Sequence, residues 1–133
     1  MTGWAGVVDQ IKHRGFGRKL FEFHGGGRPD DAAMYFNRRA EVWGAMRDWL
    51  NAGADIPDLP QVETDLCGPD YFFSPKGQIQ LEPKDAMKAR GLDSPDIGDC
   101  LAMSHSEKIA ATRKPVPKPQ YAYPGADTAR WMA

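Results

Sequence analysis

Two features that would mark a metal-stapled or disulfide-rich domain are missing from this sequence. It has only two cysteines in 133 residues, Cys67 and Cys100, and neither belongs to a Cys-x-x-Cys pair. A zinc knuckle needs Cys or His ligands at short spacing, and a disulfide framework needs a larger set of paired cysteines. We therefore predict that both cysteines are free thiols.

Long apolar runs are absent as well. No stretch reaches the roughly 18 apolar residues that suggest a membrane-spanning helix, and no basic segment leads into an apolar one near Met1 as in a secretory signal. These absences predict a cytoplasmic protein with no membrane partner. The phosphate loop G-x-x-x-x-G-K-[ST] is also missing, which excludes a P-loop ATPase site from this sequence.

A strong charge of one sign is lacking too, since the formal net charge is -1. Residues 1–106 carry 12 Lys and Arg against 16 Asp and Glu, whereas residues 107–133 carry 5 against 2. The body is acidic and the tail is basic. A broad basic face for nonspecific duplex binding is therefore excluded from the body, although a local basic stripe can still contact phosphates.

The patterns that are present favour an α/β chain. Apolar residues at helical spacing predict a short helix over residues 7–11, with Gly15 as its stop, and the bulky residues 19–23 are typical of a strand. A long amphipathic helix is predicted over residues 32–52. Its apolar stripe and flanks are formed by Phe36, Ala40, Trp43, Met46, Leu50, Tyr35, Val42 and Trp49.

Capping and turn residues set the expected limits of these elements. Asp30 or Asp31 is suited to cap the long helix. Three prolines break residues 54–70, where we predict a loop with one helical turn at 62–66.

A hairpin, two helices and a tail are predicted to follow. The hairpin pairs residues 71–73 with 78–82 across a turn that has Pro and Gly at its second and fourth positions. A short helix is predicted over residues 84–90, and a last helix over 95–111.

The sequence divides into a body, residues 1–111, and a Pro/Lys-rich tail, residues 112–133. Prolines and scattered charges in the tail bury too little surface to offset the entropy lost on ordering. We therefore predict a disordered tail that the body does not need for its stability.

Three stretches carry recognisable motifs. Residues 2–9 read Thr-Gly-Trp-Ala-Gly-Val-Val-Asp, and residues 35–43 read Tyr-Phe-Asn-Arg-Arg-Ala-Glu-Val-Trp. Residues 82–103 contain an acidic residue and a lysine, a basic helix, and then Ser-Pro-Asp-x-x-Asp-x-Leu-Ala. In this order they resemble the C-terminal part of the nuclease domain of a tailed-phage terminase large subunit.

The resemblance implies a partial ribonuclease-H-like fold and a function in DNA packaging. Such domains cut concatemeric double-stranded DNA at a two-metal site, in which acidic residues hold Mg or Mn ions. The implied setting is a bacterial host cell, with the protein encoded by a phage or prophage. The implied partners are the DNA, the missing N-terminal part of the large subunit, and the portal protein.

The resemblance places the family's last metal-binding acid at Asp99, with Asp96 as an accessory, so both are predicted as catalytic and metal-binding residues. From spacing alone Asp96 is better explained as an acid that stabilises a helix N-terminus, while for Asp99 both interpretations stay open. The family's other two acids fall before Met1. We therefore expect weak or absent nuclease activity from this chain alone.

Lys84, Lys88 and Arg90 form a basic patch beside these acids and are predicted to contact DNA phosphates. These basic residues are equally well explained as positive charges that stabilise the negative C-terminal end of a helix. Two other functions stay open: a non-catalytic, prophage-derived module that docks a portal or host partner, and an unrelated small α+β protein.

Overall fold

The computed structural model describes residues 3–108, with side chains from residue 6 onward. Its main elements, in chain order, are α1 (Gly3–Ile11), α2 (Arg38–Asn51), α3 (Pro60–Cys67), β1 (Tyr71–Phe73), β2 (Ile79–Leu81), α4 (Lys84–Ala89) and α5 (Asp96–Met103). Both cysteines are free and exposed, as predicted. None of the described helices is long and apolar enough to cross a membrane.

The N-terminal segment contains the predicted helix but lacks the predicted strand. After α1 the chain passes through a π-helical turn, in which Gly15 adopts a positive φ of 85°, and a 3₁₀ turn at Gly17–Lys19. Residues 20–24 have no regular structure, so the strand predicted at residues 19–23 is wrong. The physical reason is pairing, because none of the described β-pairs involves this segment and a strand needs a neighbour's backbone groups.

Helix α2 begins six residues later than predicted. Its N-cap is Asn37, whose side chain accepts a hydrogen bond from the Ala40 N–H at 2.9 Å, so the proposed caps Asp30 and Asp31 are wrong. Residues 34–36 are held instead beside β2, where Ile79 N–H donates to the Met34 carbonyl at 2.8 Å. The bridge from Tyr35 to Ile79 separates the turn at residues 32–34 from the helix, which begins at Arg38.

The predicted hairpin is confirmed. β1 pairs antiparallel with β2, with Tyr71 opposite Leu81 and Phe73 opposite Ile79. Gly77 in the connecting turn has a φ of 77°, a conformation that glycine adopts without strain. Tyr35 adds a parallel bridge to Ile79 and so joins the hairpin to the start of α2.

The core lies mainly between α2 and α5. Val42 and Met46 of α2 and Ala102 of α5 are buried, and Phe23, Trp43, Leu50, Leu66 and Leu101 pack around them. The predicted stripe is therefore largely the buried face, as expected for an amphipathic helix. Two of its members, Phe36 and Trp49, are exposed.

The remaining helices differ from the predictions mainly in length. α3 is a full helix, Pro60–Cys67, with proline at its first turn, rather than one turn. α4 matches the prediction, and Gly91 follows it with a φ of 82°. α5 ends at Met103, well before residue 111, and the chain continues in tighter turns in which the His105 N–H donates to the Ala102 carbonyl and the Ser106 N–H to the Met103 carbonyl. The predicted tail lies outside the described residues.

Glu41 supplies a testable contribution to stability at low pH. Its carboxylate accepts the N–H groups of Asp30 and Asp31 at 3.0 and 2.8 Å and pairs with Arg38. Burial alone raises the pKa of Glu41, but these hydrogen bonds outweigh burial and hold the pKa below its ordinary value of 4.5. The stabilisation is therefore complete above about pH 4.5 and is lost as the pH falls through the lower, folded-state pKa.

We expect Glu41→Gln to lower the free energy of unfolding at pH 7 by about 1–2 kcal/mol, because a neutral amide makes weaker hydrogen bonds and only one of its ends accepts. The difference from the wild type should shrink in urea titrations below pH 4. Glu63→Gln, which changes an exposed acid on α3, is the matched control. An equal loss in both variants, or a loss independent of pH, would contradict this account.

Candidate active site

A groove of about 470 Å³ opens between α2, α5, the start of α4 and the segment before α2. It is lined by Phe23, Gly25, Arg39, Val42, Trp43, Lys84, Asp96, Asp99, Cys100 and Met103. Three of the residues predicted from the sequence to form the site, Asp96, Asp99 and Lys84, thus share one groove. The fold brings them together because a short connection joins α4 to α5, and Lys84 at the start of α4 lies 2.8 Å from Asp99 of α5, the helix that packs on α2.

The Asp99 carboxylate contacts three donor side chains in this groove. Its Oδ1 accepts hydrogen bonds from Arg39 Nε at 3.1 Å and from Trp43 Nε1 at 2.8 Å. Its Oδ2 lies 2.8 Å from Lys84 Nζ. The side chain is only 16% exposed, so these donors replace most of the water that an ionised carboxylate would otherwise bind.

The same partners keep Asp99 ionised. Its partial burial raises the pKa, but the hydrogen bonds from Lys84 and Trp43, together with the positive charge of Arg39, outweigh burial and hold the pKa of Asp99 below its usual value. The carboxylate is therefore charged near neutral pH, as a ligand for a hard cation must be.

Asp96 has a different environment. Its side chain is 82% exposed at the mouth of the groove, and Oδ1 is 3.9 Å from Lys84 Nζ. Lys84 therefore stands between the two carboxylates and is closer to Asp99. This geometry suits Asp96 to a supporting role and also suits an acid in the first turn of α5.

The three predicted basic residues separate in space. Lys84 is in the groove, whereas Lys88 lines a neighbouring groove of about 650 Å³ that also reaches Asp96. Arg90 donates from Nε and Nη2 to the Glu82 carboxylate, and this pairing holds the pKa of Glu82 below its ordinary value. Arg90 and Lys84 are thus both paired with carboxylates of the fold, whereas no ion pair of Lys88 is found among the described residues.

Two residues of the groove were not singled out from the sequence. Trp43 was assigned to the core, and Arg39 was noted only as part of a motif. They lie four residues apart and therefore on one face of α2. The sequence feature that could have pointed to them is an arginine on the buried side of a helix beside a tryptophan, because a charge there needs a partner.

No family model and no curated protein sequence matches this chain. A search of solved structures finds a lysine-to-alanine mutant of the nuclease domain of the large terminase subunit gp2 of bacterial virus Sf6, solved with manganese and β-thujaplicinol. The TM-score is 0.62, with 22% sequence identity over 80% of this chain and 61% of that chain.

The chain has the fold of a terminase nuclease domain. The predicted fold class, a partial ribonuclease-H-like domain with an amphipathic helix and a hairpin, is confirmed. Because the match spans about three fifths of the solved domain, two fifths of that domain have no counterpart in the match. The likeness establishes the fold, and at this identity it does not by itself assign an activity.

The groove suits a divalent cation only in part. Carboxylate oxygens are the ligands that magnesium and manganese prefer. Among the described residues, however, no group of three or more His, Cys, Asp or Glu side chains is placed to hold a metal ion. Asp99 already has three donors around it. The described residues therefore do not by themselves form a complete metal site.

Proposed function

We propose that this chain is the C-terminal part of the nuclease domain of a phage DNA-packaging terminase, which hydrolyses phosphodiester bonds of concatemeric double-stranded DNA with Mg or Mn. The observation that carries the proposal is the terminase nuclease fold together with the Asp99 carboxylate in an open groove of that fold. The sequence motifs support it, because they occur in the family's order.

The geometry supports the roles that we propose for this chain's own residues. Asp99 presents one oxygen, Oδ2, toward the groove and Lys84, while Asp96 adds a second carboxylate at the mouth. Lys84 and Lys88 carry positive charge on the same side, where DNA phosphates are attracted. When bound, divalent cations would generate the attacking hydroxide and stabilise the leaving oxygen. Two acids are too few to hold two such ions, so we propose that the remaining acids come from protein outside the described residues.

The setting that goes with this proposal is the cytoplasm of a bacterial host. The proposed partners are double-stranded DNA, the N-terminal part of the large subunit and the portal protein. We propose the last contact for the tail, residues 112–133, which carries basic and aromatic residues.

A direct test compares two proteins on linear and supercoiled DNA with Mn²⁺. The 133-residue chain should cleave weakly or not at all, whereas a longer protein with the remaining acids of the domain should cleave rapidly and stop when EDTA is added. Strong manganese-dependent nicking by the 133-residue chain that is insensitive to Asp99→Asn would show that the active site lies elsewhere.

A second function is favoured by one observation. The charge of Asp99 is balanced within the fold by ion pairs with Arg39 and Lys84. This arrangement suits a non-catalytic module, derived from a prophage, that docks a portal or host protein. In that case the longer protein would not cleave DNA, but the 133-residue chain would still bind its partner.

A further inference from the structure

The two oxygens of Asp99 have different partners. Both hydrogen-bond donors to Oδ1 come from α2, one turn apart: Arg39 Nε at 3.1 Å and Trp43 Nε1 at 2.8 Å. Among the residues that the structure describes, Oδ2 pairs with Lys84 alone, and the Lys84 side chain is 45% exposed. A carboxylate held by two donors on one rigid helix can rotate little, so the direction in which Oδ2 points is set by α2.

The donors are themselves held in place. Arg39 Nη1 donates to the backbone carbonyl of Glu82 at 3.0 Å, just before α4 begins, and the guanidinium carbon lies 5.9 Å from the Trp43 ring centre. Trp43 also passes very close to Gly98 on α5, where an added Cβ would lie 2.9 Å from a ring atom. The glycine therefore lets the indole reach the neighbouring Asp99.

Arg39 is kept in this position at a cost. Its Nη2 atom is buried and has no hydrogen-bond partner among the residues that the structure describes. A buried donor without an acceptor is unfavourable and calls for a compensating role. The contacts that compensate are those of Nε with Asp99 and of Nη1 with Glu82.

We propose that Arg39 and Trp43 are positioning residues that fix the Asp99 carboxylate through Oδ1, so that Oδ2 alone is presented to a divalent cation. We call the two hydrogen bonds from Arg39 and Trp43 to Asp99 Oδ1 the clamp. The role of the cation rests on the proposed function, whereas the clamp rests on the geometry alone. Residues that hold a metal ligand in this way typically change metal affinity about 10–100-fold when they are removed.

The first measurement concerns the clamp without metal. In ¹⁵N NMR spectra of the 133-residue chain, the Trp43 indole N–H should exchange with solvent about tenfold or more faster in Asp99→Ala, because a hydrogen bond to a charged acceptor is lost. The Trp49 indole, on the same helix, is the internal control. Unchanged exchange at Trp43 in the folded variant would overturn the proposal. If Asp99→Ala does not fold, Asp99→Asn replaces it. Asparagine keeps an acceptor but loses the charge, so the Trp43 indole N–H should still exchange faster than in the wild type, by a smaller factor. Exchange at the wild-type rate would overturn the proposal.

The second measurement concerns positioning. Trp43→Phe keeps an aromatic ring but removes the indole N–H donor. Arg39→Lys keeps the positive charge but removes the planar guanidinium that donates to both Asp99 and Glu82. Each should weaken Mn²⁺ binding about tenfold or more, measured by paramagnetic broadening at the Asp99 amide. Trp49→Phe and Arg47→Lys, the matched controls on α2, should bind Mn²⁺ as the wild type does. Equal affinities in all four folded variants would overturn the positioning role.

A failure of the proposed function and a failure of the positioning role give different results. If Mn²⁺ broadens no signal near Asp99 in the wild-type chain, the Mn²⁺ titrations are repeated in the longer protein that carries the remaining acids of the domain. Absence of binding there contradicts the proposed function and, with it, the role of the clamp toward a cation. The hydrogen-bonded clamp itself is then decided by the indole exchange rates alone.

Discussion

Asp99→Asn is expected to reduce metal-dependent cleavage at least about 100-fold in a protein that carries the complete nuclease domain. Asparagine has nearly the shape of aspartate and keeps one acceptor oxygen for Arg39 and Trp43. It removes the negative charge that Oδ2 presents beside Lys84. Metal affinity should therefore fall steeply while the packing between α2 and α5 survives.

The initial rate of plasmid nicking at several Mn²⁺ concentrations measures the effect. Asp93→Asn, which makes the same charge change at an exposed position just before α5, is the control and should leave the rate within about twofold of the wild type, since exposed charges contribute little. Circular dichroism should show both variants folded. A similar loss in both would mean that general charge, and not the groove carboxylate, governs cleavage.

Local sequence signals predicted the parts of the fold that local chemistry determines. The turn at residues 74–77 was identified from proline and glycine at fixed positions, and the hairpin follows from it. Gly15 was identified as a helix stop, and it adopts a positive φ value. In these cases the conformation depends on neighbours within a few residues, which the sequence displays directly.

The elements that were predicted wrongly depend on distant partners. Residues 19–23 have the composition of a strand, but the described residues offer no strand to pair with them. The start of α2 was misplaced because Ile79, far along the chain, forms a β-bridge with Tyr35 through hydrogen bonds to the Met34 carbonyl and the Phe36 N–H. Sequence periodicity contains no information about such pairings, so capping signals at Asp30 and Asp31 were given too much weight.

The candidate site was predictable only in part for the same reason. Asp96, Asp99 and Lys84 lie within one short stretch, and the structure places them in one groove. The clamp joins Asp99 to Arg39 and Trp43 across 60 and 56 positions of sequence. Only the packing of α2 on α5 reveals that an ordinary core tryptophan also donates a hydrogen bond to the carboxylate.

Met87→Ala is expected to cause a large loss of stability. The side chain is only 1% exposed, and its terminal methyl packs near Gly68 at the end of α3. Truncation of a buried methionine costs about 2–5 kcal/mol, because the lost contacts leave a cavity. Small domains have a total free energy of unfolding of about 5–15 kcal/mol, so a large part of the stability should be lost.

The expected result in a thermal melt is a fall of about 10 °C or more. Met34→Ala removes the same atoms from a side chain that is 43% exposed and should change the melting temperature by only a few degrees, on the order of 0.5 kcal/mol or less for a surface site. Because α4 carries Lys84, partial loosening of α4 should also separate Lys84 from Asp99 and weaken their ion pair. Equal effects of the two methionine variants would show that α4 is not packed against the body through Met87.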